Sequence, residues 1–167
     1  SEISEQVRAS AVFLWKRHGR RIVASGHSAG GHLTACLLAT DWKKYDPEAP
    51  EDLVPSGLSI SGLFDLRPLV PTTVNNALKL EAAEALKNSP LAWPLPGKRV
   101  HDAWVGGAES SEYLRQSRSV TDEWKKRGAE TAYRELRGAN HFTVLDPLGD
   151  PASEISQRLL ALSHALR

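Results

Sequence analysis

The sequence predicts an α/β protein built on a mostly parallel sheet flanked by helices. Two observations carry that prediction. Short apolar runs that read as strands alternate with longer stretches of helical periodicity, and such alternation produces parallel strands joined by crossover helices. One strand-to-helix junction, Ser25-Gly26-His27-Ser28-Ala29-Gly30-Gly31-His32-Leu33, also contains Gly-x-Ser-x-Gly. That spacing suits a sharp turn that lifts a serine hydroxyl above the end of a sheet. With 167 residues, 41% hydrophobic and 25% charged, the chain is expected to form one domain over residues 1–167 with a sizeable core.

Taken in order, residues 4–18 place Val7, Ala11, Leu14 and His18 at helical spacing, with Gly19 as the stop. A strand over 21–25 runs into the serine turn and a helix over 29–40. Gly26 and Gly30 are read as the positions where a Cβ would clash with the neighbouring strand and helix. Asp41 to Pro55 is polar with three prolines and predicts a surface loop. Leu58-Ser59-Ile60-Ser61 reads as a second strand ending at Gly62, after which Asp65 caps a short turn through Leu69. Between 71 and 96 the pattern breaks into short helical pieces, with Leu78 to Leu86 the best of them. A cap-like or substrate-facing segment is expected there. Val100 to Val105 is a third strand, more polar than a central one should be, which predicts an edge position or a local irregularity. Ser110 to Arg127 is a long helix, Thr131 to Leu136 a fourth strand, Gly138 to Asp150 a loop, and 153–166 a closing helix.

Composition excludes several functions. A net charge of +1 gives no electrostatic case for a nucleic-acid or membrane partner. The longest apolar runs, Ala9 to Trp15 and Leu33 to Ala39, are too short to span a bilayer. The opening residues show no n-region and h-region, and a cytoplasmic location without a signal peptide is expected. The lone Cys36 sits among Leu33, Leu37 and Leu38 and reads as a core residue. The chain has no methionine and begins at Ser1, which suggests that residues once preceded it.

Ser28 is the candidate nucleophile, and the N–H of Ala29, at the start of the helix, is the candidate oxyanion donor. A serine hydroxyl needs a base, and the base needs an acid to orient it. In this architecture the order is serine, acid, histidine, each on a loop after a strand. His18 and His164 fall on helix surfaces, and His101 falls inside a strand. His27 and His32 stand too close to Ser28 in sequence to swing onto its hydroxyl, and they are expected to pack or hydrogen-bond behind it. His141 alone follows the last strand, in Gly138-Ala139-Asn140-His141-Phe142. The acid is Glu109, after the third strand, or Asp65, after the second. Each also has a purely structural role, as a helix-start acid or a cap respectively.

Four segments strengthen this reading. Gly26 to Leu33 resembles the serine turn of α/β-hydrolases of the esterase and kynurenine formamidase group. Ile60-Ser61-Gly62-Leu63-Phe64-Asp65-Leu66-Arg67-Pro68-Leu69 resembles the segment after the sixth strand of that group. Gly106-Gly107-Ala108-Glu109-Ser110-Ser111-Glu112-Tyr113-Leu114-Arg115-Gln116-Ser117 resembles its acid loop, which usually carries Asp where Glu109 stands, and Ala139-Asn140-His141-Phe142 resembles its base loop. The resemblance runs nearly end to end. It implies the C-terminal portion of an α/β-hydrolase that cleaves an aryl-formamide such as N-formylkynurenine, in tryptophan catabolism, or alternatively a short carboxylic ester. The implied triad is Ser28, His141 and Glu109, acting through an acyl-enzyme with no metal or organic cofactor.

In that fold a second oxyanion donor comes from a His-Gly-Gly loop well before the nucleophile. Only one helix and one strand precede Ser28 here, and no His-Gly-Gly occurs in the chain. The 21–25 strand is then expected to form an unprotected edge, and the chain to self-associate or to lack a companion fragment. A catalytically inactive fragment that acts by association is the competing reading.

Overall fold

The computed structural model describes residues 2–166. Four parallel strands form one sheet in sequence order: β1 (Val23–His27), β2 (Ser56–Ile60), β3 (Val100–Gly106) and β4 (Glu130–Leu136). Seven helices surround it: α1 (Glu2–His18), α2 (Ala29–Leu38), α3 (Trp42–Tyr45), α4 (Asn75–Leu78), α5 (Ala82–Lys87), α6 (Ser111–Lys126) and α7 (Glu154–His164). Single 3₁₀ turns lie at Arg67–Leu69 and Pro90–Ala92, and a longer one at Thr143–Gly149. Among the described residues no helix is long and apolar enough to cross a membrane.

Alternation along the strands sends side chains to two separate cores. Ala24 and Ala103 join Ala35, Leu38, Trp42, Phe64, Val120 and Trp124 under α2 and α6. Leu58, Ile60 and Trp104 face the other way, onto Val144, Ile155 and Leu162. On the first face the helices come very close. A Cβ on Gly57 would lie 2.8 Å from Thr34 Cγ2 and 2.9 Å from the Ala24 carbonyl oxygen, so only glycine lets α2 seat across β1 and β2.

Three expectations are corrected. Asp41 to Pro55 is not a surface loop: Trp42, Ala49, Leu53 and Val54 are fully buried in the first core. Their spacing follows neither helix nor strand period, so the pattern conceals their burial. Leu78 to Leu86 is not one helix. Lys79 adopts a left-handed conformation (φ 52°) and separates α4 from α5, and Asn75 fastens the break by accepting from Leu80 N and donating to the Leu80 carbonyl. Finally, β3 is neither an edge strand nor irregular. It pairs with β2 and β4 on its two sides, and its polar residues are buried with partners. His101 hydrogen-bonds Ser59 at 2.9 Å on the α2–α6 face. Asp102 takes a two-bonded ion pair from Arg158 of α7 on the other, at 2.6 and 3.1 Å.

Candidate active site

The candidate site lies where β1, β3 and β4 end, the edge of a parallel sheet at which ligand sites gather. Ser28 occupies the junction of β1 and α2 with φ 56° and ψ −115°, a left-handed conformation that a non-glycine residue adopts only under constraint. The constraint is visible. Ser28 N donates to the Ile60 carbonyl at 2.8 Å, and the Ser28 carbonyl accepts from His32 N at 3.1 Å. A Cβ on Gly26 would lie 2.5 Å from the backbone of Gly30, and one on Gly31 would lie 2.9 Å from Gly62 Cα. Gly30 itself has open space where a Cβ would stand. The tight positions are therefore Gly26 and Gly31, which corrects the assignment of crowding to Gly30. The Ser28 side chain makes no capping hydrogen bond to α2, so capping does not account for it. Ala29 opens α2, where backbone N–H groups lack intrahelical acceptors.

Glu109 follows β3 and its side chain is 1% exposed. One carboxylate oxygen accepts from Gly106 N at 2.8 Å and from Ser61 Oγ at 2.5 Å. The other accepts from His141 Nδ1 at 2.6 Å. Because Nδ1–H donates to the carboxylate, the neutral imidazole presents Nε2 as an acceptor. Asn140 shapes the loop around the base by accepting from Phe142 N at 2.9 Å and Thr143 N at 3.0 Å. The His27 Nε2–H donates to the His141 carbonyl at 2.8 Å, and the two imidazoles pack 4.5 Å apart. Burial and the neighbouring His141 hold the His27 pKa below its ordinary value, which favours the neutral ring. Among the described residues the Ser28 hydroxyl makes no hydrogen bond to His141; it faces the phenol of Tyr113. Catalytic hydrogen bonds are often loose until substrate arrives.

No family model matches the chain. The kynurenine formamidase of Danio rerio is 31% identical over 165 residues, covering 94% of this chain and 55% of that protein. That of Salmo salar is 30% identical with the same coverage. The chain thus spans about half the length of the curated relatives it matches. Among solved structures, a protein of Silicibacter sp. TM1040 described as a candidate thioesterase superposes with a TM-score of 0.80 at 34% identity, covering 96% of this chain and 58% of that one. An esterase of the bacterial hormone-sensitive lipase family, 20% identical with a TM-score of 0.65, covers 95% of this chain and 58% of its own and shares the fold. The chain has the α/β-hydrolase fold and is similar in sequence to kynurenine formamidases over about half of their length.

Other candidates fall elsewhere in the chain. Asp65 is engaged by Arg67, whose Nε and Nη2 lie 2.9 and 2.8 Å from its carboxylate, and this pairing lowers its pKa. It shapes the turn after β2 and makes no contact with His141. His32 is partly buried behind the serine turn, donating from Nδ1 to the Leu63 carbonyl at 2.8 Å with Cys36 Sγ 3.4 Å from Nε2. Burial raises the Cys36 thiol to about 12, which makes it unreactive at neutral pH. His18 and His164 are exposed at helix ends. Sequence reasoning does not find Ser61, Gln116 or Tyr113. Ser61 has a left-handed backbone (φ 50°) that turns its hydroxyl to Glu109. Gln116 accepts from Phe64 N and Asp65 N at 2.9 and 2.8 Å, fixing the chain just beyond Ser61. The polar Gln116 on the inner face of an otherwise amphipathic α6 is the only available signal for it.

Proposed function

We propose that this hydrolase cleaves an aryl-formamide such as N-formylkynurenine by nucleophilic catalysis, with Ser28, His141 and Glu109 as the triad. The observation that carries the reading is the buried Glu109, held on three sides and hydrogen-bonded to His141 at 2.6 Å, beside a strained serine turn. Ser28 Oγ attacks the formyl carbon and passes its proton to His141 Nε2, while Ala29 N–H receives the developing oxyanion. The C–N bond then breaks as His141 protonates the departing arylamine. Water, deprotonated by His141, releases formate from the formyl-enzyme. The aryl-formamide is favoured by the names of the relatives in Danio rerio and Salmo salar. A short-chain ester or thioester is the second reading, favoured by the bacterial neighbour described as a candidate thioesterase. The 71–96 segment would wall the substrate side, and the chain would work in the cytoplasm without metal or cofactor.

A fluorophosphonate probe tests the chemistry. Labelling of the wild-type chain that disappears in Ser28→Ala supports the triad, and an unlabelled wild type points to an inactive fold. Comparing N-formylkynurenine with a short p-nitrophenyl ester decides the substrate, since a clear preference for the ester overturns the formamide reading.

A further inference from the structure

Tyr113 stands in the first turn of α6, and the triad as described assigns it nothing. Its ring packs on the imidazole of His141 with centroids 4.7 Å apart and planes inclined by 43°. Its phenol neighbours the Ser28 hydroxyl. The nucleophile and the base are thus bridged by one side chain, with the hydroxyl on the former and the ring on the latter. Burial raises the phenol's pKa, and the charge of Glu109 adds to the effect. The oxygen therefore keeps its proton at neutral pH and remains a donor.

We propose that the Tyr113 hydroxyl is a catalytic donor. It engages Ser28 Oγ in the resting site and then donates to the oxyanion when that oxygen attacks. The proposal rests on the serine-hydrolase reading above and adds a residue to it. The sequence of events balances without further reactants. Ser28 turns from Tyr113 toward His141 and gives its proton to Nε2 as the Oγ–C bond forms. The carbonyl π pair moves onto the substrate oxygen, and the released phenol O–H hydrogen-bonds to that oxygen and keeps its own proton. The pair returns as the C–N bond breaks and His141 protonates the nitrogen. Both oxygens of the tetrahedral adduct share one carbon, so a donor in reach of Oγ is in reach of its neighbour after a small shift. A donor of this kind acts on the transition state more than on the bound substrate.

Tyr113→Phe keeps the ring on His141 and removes only the hydroxyl, which separates the donor from the packing. With N-formylkynurenine as substrate, kcat is expected to fall on the order of 10²-fold, as for the loss of one oxyanion donor. KM should stay within about twofold, and the thermal unfolding midpoint should not move. Labelling of Ser28 by the fluorophosphonate should slow in parallel, because its adduct places an oxygen at the same position. A Tyr113→Phe chain with wild-type kcat and labelling rate, alongside an active wild type, overturns the donor role and leaves the triad standing. So does a change confined to KM. A wild type that neither hydrolyses substrate nor takes the label overturns both.

Discussion

At the residue scale, two buried polar side chains, Glu109 and His101, show how burial is made tolerable. Glu109 is one methylene longer than the aspartate usual in this loop. Its oxygens meet Ser61, Gly106 and His141, so every hydrogen bond a buried carboxylate needs is made within the site. His101 is less fully served. The Ser59 hydroxyl donates its only proton to the Gly31 carbonyl at 2.9 Å, so the contact with His101 requires Nε2–H to donate to Ser59. Nδ1 is then a bare acceptor, and it is buried without a partner, between the rings of Phe64 and Trp124. Burial drives the His101 pKa down to about 3. Unfolded, the ring titrates near its ordinary 6.5, so between those values the unfolded chain binds a proton that the folded chain excludes. Stability from this residue is complete above about pH 6.5 and falls by about 1.4 kcal/mol per unit as pH drops toward 3. The partly buried His32 and His27, both shifted down by desolvation, act in the same direction. Urea titrations between about pH 7 and about pH 4 are expected to show a slope shallower by about one proton in His101→Phe than in the wild type. An unchanged slope would refute the assignment.

At the scale of elements, the site depends on one loop lying against the end of one strand. A Cβ on Gly106, at the end of β3, would lie 2.4 Å from the Ala139 carbonyl oxygen and 3.0 Å from that of Asn140. Gly106→Ala must therefore displace the segment that carries His141. Shifts near 1 Å at a reacting group cost on the order of 10² in rate, so kcat should drop by about that factor with a smaller loss of thermal stability. If the variant unfolds at much lower temperature yet keeps its kcat, the loop is not held by this contact. The elements themselves are legible to different degrees. Helix α7 repeats Ile155, Leu159 and Leu162 at helical spacing, α1 and α6 bury Ser4, Gln116 and Ser117 among their apolar residues, and the strand-to-helix turn at Ser28 carries its glycines in the sequence. Local pattern starts and ends the first strand two residues early because Ser25, Gly26 and His27 have little strand preference, and only pairing with β2 extends it to His27. The polar β3 misleads because Ser59 and Arg158, which satisfy His101 and Asp102, lie 42 and 56 positions away. Ser61 escapes notice for the same kind of reason, since its bond to Glu109 spans 48 positions. No local window contains such pairs.

At the scale of the molecule, β1 is the exposed side of the sheet. Among the described residues it pairs with β2 alone, and Ser25 at its middle is exposed. Beside it a groove of about 1200 Å³ runs between α1 and the end of α7, lined by Trp15, Val23 and Leu166. The outer side of α1 adds Ile3, Phe13 and Leu14, all exposed, although the buried face of that helix is formed by Ser4, Ala11 and Val12. The opposite edge is protected. Strand β4 carries Arg134 paired to Glu154 and Glu135 paired to Arg118, the kind of charge that discourages strand addition. An open backbone ladder flanked by apolar side chains on only one edge favours a second copy of the chain, joined edge to edge through β1. The 167-residue chain is therefore expected to sediment as a dimer or larger species. Ser25→Lys, which sets a charge on the open edge without touching either core, should shift it toward monomer with little change in unfolding midpoint. A wild-type chain that sediments as a monodisperse monomer at tens of micromolar would overturn the edge-pairing proposal, as would a Ser25→Lys chain that remains associated. Because Ser25 stands three positions before Ser28, labelling of the dispersed variant also reports whether the proposed nucleophile depends on association.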